Sequence, residues 1–139
     1  AASDVYKRQK KYPEMLALAD RLLEELDDEA LVSECLELAG FAAKRTQEFE
    51  RMEQYWRGLV DQFPSHIAGR IELAKHLEHR RRDLPAAARV CREGLQYWET
   101  RLNLHYGVAP IGLGDIEKRL ARIEGKLSRV GISETGADT

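Results

Sequence analysis

Three side chains in the segment "ELAKHLEHRRRD", residues 72–83, could together bind a metal ion. Glu72, His76 and His79 are spaced i, i+4 and i+7, so all three share one face of a helix. Carboxylate and imidazole groups are common zinc ligands, and such a site would indicate a metal-dependent hydrolase. The alternative is structural, with His79 packed at a helix–helix contact and His76 exposed. We favour it because no H-E-x-x-H core is present, and we assign no metal site and no catalytic residue.

The same segment ends in the most concentrated basic charge of the chain. Arg80, Arg81 and Arg82 are consecutive, and Lys75 lies on the helix before them. Cations at a helix C-terminus favour the macrodipole, which indicates a solvated cluster. The alternative is contact with a nucleic-acid backbone, and the three arginines are therefore a candidate phosphate patch. The whole chain is nevertheless balanced, with 22 basic and 24 acidic residues, which is not typical of a general nucleic-acid binder.

Other residue types that often carry chemistry have the wrong context here. The glycine-rich loop "YGVAPIGLGD", residues 106–115, lacks the Gly-Lys-Ser/Thr of a nucleotide site, so no cofactor is expected. Cys35 and Cys91 belong to no Cys-x-x-Cys pair, which predicts two reduced, buried thiols in a cytoplasmic protein. No stretch approaches the roughly 20 apolar residues of a membrane span, so we expect no membrane partner.

The elements that must position these residues are predicted to be helices. The chain is rich in Ala, Leu, Glu and Arg, which are strong helix formers, and this predicts an all-α protein of about six helices. Pro13 is expected to begin the first helix, in which Met15, Leu16, Leu18, Ala19, Leu22 and Leu23 recur at helical spacing. Residues 27–29, Ser65 and Asp83 are expected at helix N-termini. The last helix should run from Asp115 to Gly131, after one loop at 103–114.

The two ends of the chain are expected to lie outside the folded domain. The segment "SDVYKRQ" resembles a translated adapter leader, so residues 1–9 are interpreted as an artefactual or disordered leader on a fragment of a longer protein. Residues 10–131 are predicted to form the helical domain. Residues 132–139 are predicted to be a disordered tail.

An internal repeat accounts for the order of the helices. "LELAGFAA" at 36–43 and "RIELAKHL" at 70–77 superimpose with an offset of 34 residues. That period resembles the tetratricopeptide repeat (TPR), a helix hairpin stacked on its neighbours in a right-handed array. The resemblance implies repeat units at about 33–66 and 67–100 and a capping helix at 115–130. The small residues Gly40 and Ala74 fit the helix crossings, whereas Gly94 stands where alanine is usual.

A narrower resemblance is carried by "ELAKHLEHRRRDLPAAARVCREGL", residues 72–95. It is similar to the C-terminal region of bacterial ribonuclease H-like exonuclease-type proteins (the YprB-like family), as is the closing "DIEKRLARIEGKL". The residues that match are Glu72 to Lys75, Glu78, His79 and Asp83, with Leu84 in place of an aromatic residue. The resemblance implies a nuclease domain upstream that binds divalent metal through acidic residues. This chain would then be a non-catalytic module that contacts the adjoining nuclease domain, a protein partner or nucleic acid. A stand-alone TPR adaptor is the alternative.

The inner face of a TPR array binds extended peptides in the proteins that this repeat resembles. By repeat position, the candidate binding face here comprises Glu34, Glu37, Phe41, Lys44, Arg45, Lys75, Glu78 and His79. Acidic and basic residues are mixed on it, so this face alone indicates neither a strongly acidic nor a strongly basic ligand.

Overall fold

The computed structural model describes the backbone of residues 2–105 and 107–131, and the side chains of 11–104 and 107–131. Within these ranges the chain forms six α-helices and no strand, which confirms the predicted class and helix number. The helices are α1 (Ala2–Glu25), α2 (Glu29–Arg45), α3 (Phe49–Gln62), α4 (Ile67–His79), α5 (Leu84–His105) and α6 (Leu113–Arg129). The tail expected at 132–139 lies outside the described residues.

The helices belong to two compact units. The N-terminal unit, Ala1–Phe63, contains α1 to α3, and α2 packs against both of its neighbours. The C-terminal unit, Pro64–Thr139, contains α4 to α6, and α5 packs against α4 and α6 while α4 also contacts α6. Each unit buries the apolar sides of its helices against one another, as amphipathic helices require.

In the N-terminal unit, the largest buried side chain depends on a glycine of the facing helix. Trp56 on α3 is completely buried and lies over Gly40 on α2. A Cβ atom on Gly40 would lie 2.7 Å from two carbons of the indole ring, so a larger residue would push the helices apart. Phe41 meets the same ring edge-on, with 5.0 Å between the ring centroids. Gly40 therefore leaves room for the indole ring where α2 meets α3, and the predicted close approach of the two backbones stays a prediction.

In the C-terminal unit, a buried arginine explains why position 94 is glycine. Arg70 is 5% exposed, and its guanidinium donates to the carbonyl of Pro64 at 3.2 Å and to that of Val90 at 3.0 Å. Its aliphatic stem crosses Gly94, where an added Cβ would lie 2.4 Å from the arginine Cδ. The absence of a side chain at Gly94 therefore leaves space for Arg70, whose buried guanidinium is hydrogen-bonded to main-chain carbonyls.

Two of the three predicted helix caps are present and one is displaced. Asp28 and Asp83 each accept a hydrogen bond of 3.1 Å from the backbone N–H three residues later. At α4 the cap is His66, whose Nδ1 accepts from a backbone N–H at 3.0 Å, and the expectation that Ser65 caps this helix is wrong. The Ser65 carbonyl instead accepts from Trp98 Nε1 at 3.2 Å.

Three helix ends differ from the sequence prediction. α1 begins at Ala2 and contains Pro13, whose missing N–H costs the helix one hydrogen bond. α5 continues to His105, and α6 begins at Leu113 rather than at Asp115. Gly112 precedes α6 with a φ of +98°, a conformation that favours glycine.

Candidate functional site

The residues suggested as metal ligands do not converge. His76 is buried, with 6% exposure, whereas the His79 side chain is 60% exposed, which is the reverse of the arrangement expected from the sequence. Glu72 accepts a hydrogen bond from Lys75 Nζ at 3.3 Å. Across the described residues, no group of three or more His, Cys, Asp or Glu side chains could hold a metal ion. The spacing on one helix was therefore not sufficient to bring the three side chains together.

Glu78, predicted to lie on an open binding face, is instead the centre of a buried ionic contact between α4 and α6. Its side chain is fully buried. Arg122 donates to it at 2.6 and 3.3 Å and Lys126 at 2.6 Å. Arg119 Nη1 lies 3.4 Å from the same carboxylate, and so does His79 Nε2. One carboxylate thus holds three permanent cations of α6 against the end of α4.

These cations control the ionisation of Glu78. Burial alone would raise the pKa of this carboxyl group, but hydrogen bonds from Arg122 and Lys126 and the charges of Arg122 and His79 lower the pKa to about 2. Glu78 is therefore ionised at neutral pH, and its single negative charge is outnumbered by the cations around it. The contact leaves an excess of positive charge at this end of the C-terminal unit.

The positive charge around Glu78 adjoins the arginine turn predicted from the sequence. The three arginines of this turn are exposed, and Arg122 and Lys126 are exposed to nearly a half and a third. We give the name basic cluster to the set of His79, Arg80, Arg81, Arg82, Arg122 and Lys126. Arg82 has a φ of +52°, which is uncommon for a residue other than glycine. Guanidinium and ammonium groups in this arrangement can bind phosphate oxygens. The sequence analysis did not include Arg122 and Lys126 in this cluster. Their i, i+4 spacing places them on one face of α6, but the sequence does not show that this face meets α4.

The remaining residues of the predicted binding face are divided between the two units. In the N-terminal unit Glu34, Phe41, Lys44 and Arg45 are exposed on α2, and Glu37 is half-buried. Lys75 and His79 belong to the C-terminal unit. The single continuous face across both groups remains a prediction.

The N-terminal unit has an apolar groove that the sequence did not predict. It lies between α1 and α2, has a volume of about 340 Å³, and has Glu34 as its one charged lining residue. Met15, Leu18 and Leu22 from α1 and Leu31 and Leu38 from α2 line it and are 37–57% exposed. Of the apolar residues that recur at helical spacing on α1, only Leu16 and Ala19 are buried. The stripe formed by residues 15, 16, 18, 19, 22 and 23 spans an arc of about 160°, wide enough to contact more than one neighbour, but the sequence does not say which part of it is covered.

One end of this groove carries a concentrated negative charge. α1 and α2 are joined by a short turn, and five of the six residues at 24–29 are acidic. All five of these side chains are exposed, and we call residues 24–29 the acidic turn. Residues 11–63 contain thirteen acidic and six basic side chains, whereas residues 64–131 contain eight acidic and thirteen basic ones. The groove therefore combines apolar anchoring with attraction for cations, and the basic cluster attracts anions.

The cysteines do not form a reactive pair. Cys91 is buried in the C-terminal unit, where burial raises the pKa of its thiol to about 11. Cys35 is half-buried, lines the groove, and has a thiol 3.8 Å from the carbonyl of Ala19. Burial and the charge of Asp20 raise the pKa of the Cys35 thiol as well, so neither thiol is activated as a nucleophile.

Comparison with known proteins adds no family assignment. No protein-family model, no curated protein and no solved structure matches the chain. None of the described helices is both long enough and apolar enough to cross a membrane.

Proposed function

We propose that this chain is a non-catalytic, TPR-like helical module that holds a protein segment in the groove between α1 and α2. Its place would be the C-terminal part of a bacterial ribonuclease H-like exonuclease-type protein of the cytoplasm. The observation that carries the proposal is the exposure of five large apolar side chains along one groove. Contiguous apolar surface of this kind is typical of interaction sites, because covering it releases ordered water.

Two sources of the bound segment are consistent with this groove. In the leading interpretation, it belongs to the adjoining nuclease domain, which the module would support. In the alternative, the module is a stand-alone adaptor and the segment belongs to a separate protein.

Site-specific photocrosslinking in the native gene product tests the proposal. A photoreactive amino acid would replace Leu22 in the groove, and the matched control would carry it at Glu50, an exposed position on α3. We expect crosslinked peptides specific to position 22, identified by mass spectrometry. Peptides from upstream in the same polypeptide support the nuclease interpretation, and peptides from another protein support the adaptor. Identical results at positions 22 and 50 would contradict the proposal.

A second candidate function, guidance of a nucleic-acid strand, is favoured by the basic cluster. The partly exposed Arg122 and Lys126 of α6 lie beside the arginine turn, so a phosphodiester would meet several positive groups together. Binding of single-stranded DNA should then weaken steeply with salt. The triple substitution Arg80→Ala/Arg81→Ala/Arg82→Ala should weaken it further. Salt-insensitive binding that the triple substitution leaves unchanged would rule this function out.

A further inference from the structure

The lining of the α1/α2 groove favours one conformation of the bound segment. Both walls are helices, whose backbone N–H and C=O groups are already bonded within each helix. An extended peptide in such a groove would bury its own backbone groups without partners, which is costly. A helix satisfies its backbone internally and presents only side chains. The groove is therefore suited to a third helix.

The spacing of the wall residues agrees with this conclusion. Met15, Leu18 and Leu22 follow one another at intervals of three and four along α1, and Leu31 and Leu38 are seven residues apart on α2. These are the intervals at which one face of a helix repeats. A docking helix would place its own apolar residues between them, at i, i+3 or i+4, and i+7.

The charges around the groove indicate the sign of its occupant. Glu34 is the charged lining residue, and the acidic turn, residues 24–29, lies at the end of the groove where α1 leads into α2. Two copies of the chain joined groove to groove in a parallel orientation would bring their acidic turns together, where like charges disfavour association. A partner with Lys or Arg near this end would be attracted instead.

We infer that the groove binds an amphipathic helix of a partner segment with apolar residues on one face and a cluster of basic residues at the end that meets the acidic turn. The inference rests on the proposed function and specifies the partner class. It applies whether the segment is part of the same polypeptide or of another protein.

Two synthetic helices test the inference on the purified chain. Each would have about 18 residues, with leucines at i, i+3, i+7 and i+10, and the two would differ only in four terminal residues, Lys in one and Glu in the other. Affinity is measured by fluorescence anisotropy at low and high salt. Occupancy of the groove is measured independently as the alkylation rate of Cys35, which lines the groove, with buried Cys91 as an internal control.

We expect the basic helix to bind at least about tenfold more tightly than the acidic one at low salt, and to slow the alkylation of Cys35. Glu25→Lys, at the acidic turn, should weaken binding of the basic helix several-fold. Glu50→Lys, a matched reversal of an exposed charge on α3, should leave it within about twofold of the unmodified chain.

Three results would overturn the inference. Equal affinity for the basic and acidic helices would show that the acidic turn does not select a basic partner. Failure of both helices to bind or to protect Cys35 would show that the groove does not bind a helix. Concentration-dependent protection of Cys35 without any peptide would identify a second copy as the occupant. None of these results depends on the crosslink at position 22, which tests the proposed function itself.

Discussion

Arg122 donates to both carboxylate oxygens of Glu78, through Nη2 at 2.6 Å and through Nε at 3.3 Å, and so joins α6 to α4. Lys126 and Arg119 bind the same carboxylate, and the Arg119 side chain is itself only 10% exposed. Removing the negative charge would leave these cations facing one another, and the cost of a buried charge that loses its partner is large. The contact thus joins α6 to α4, in addition to the packing of α6 against α5.

Glu78→Gln should therefore lower the free energy of unfolding by about 2–4 kcal/mol, because it removes the shared partner of buried Arg119 and of the partly exposed Arg122 and Lys126. Urea denaturation followed by circular dichroism measures the change. The matched control is Glu124→Gln, since Glu124 pairs with Arg92 at 2.7 Å but is 48% exposed. This exposed pair should contribute less than about 1 kcal/mol. Equal losses in the two variants would show that burial of Glu78 does not matter.

The same carboxylate predicts how stability depends on pH. Its pKa in the folded chain is about 2, below its ordinary value of 4.5, so its stabilising contribution is fully present above pH 4.5. Stability should fall as pH decreases from 4.5 toward 2, by at most about 3 kcal/mol from this group. The stability difference between the unmodified chain and Glu78→Gln should shrink over the same interval. A constant difference between pH 6 and pH 2.5, measured by denaturation in a pH series, would contradict the assignment.

Two helical glycines with opposite surroundings provide a paired test of packing. Gly94→Ala would place a methyl group 2.4 Å from Arg70 Cδ and displace the buried guanidinium from its carbonyl partners. We expect a loss of about 1–3 kcal/mol in the free energy of unfolding. At Gly125, on α6, a Cβ atom meets nothing within 4 Å. Gly125→Ala should therefore stabilise the chain by about 0.5–1 kcal/mol, and thermal melts of the two variants should shift in opposite directions.

These contacts also show where sequence reasoning reached its limit. The caps at Asp28 and Asp83 were predictable because each depends on local chemistry. The ionic partners of Glu78 lie 41–48 residues away on another helix, and no local pattern pairs them. The exposure of Leu18 and Leu22 could not be predicted either, because an apolar stripe reports what can be buried and not which helix will cover it.

Neighbouring leucines on α1 test which side of this helix the N-terminal unit covers. Leu16 is completely buried, so Leu16→Ala should lower the free energy of unfolding by about 2–4 kcal/mol. Leu18 is 47% exposed, and Leu18→Gln should change the free energy of unfolding by about 1 kcal/mol or less. Chemical denaturation of the two variants makes the comparison. A large loss in Leu18→Gln would mean that the groove is closed in solution.

Arg82 tests whether the arginine turn is maintained for stability or for binding. Its φ of +52° costs roughly 1 kcal/mol for an L-residue with a side chain, a cost that glycine does not carry. Arg82→Gly should therefore leave the chain as stable or more stable, by up to about 1 kcal/mol. If the basic cluster contacts phosphate, the same variant should bind single-stranded DNA more weakly. The number of counterions released on binding, measured from the slope of log K against log salt concentration, should fall by about one.

Arg80→Gly is the matched control for this comparison, because Arg80 is the C-cap residue after α4, has a right-handed helical backbone conformation, and glycine there relieves no strain. It should lose about 0.5–1 kcal/mol of stability while removing the same charge. Higher stability with weaker DNA binding in Arg82→Gly would show that the turn is kept strained for phosphate contact. Lower stability in Arg82→Gly than in Arg80→Gly would instead show that Arg82 stabilises the fold. The positive φ of Arg82 would then no longer support a role in nucleic-acid guidance.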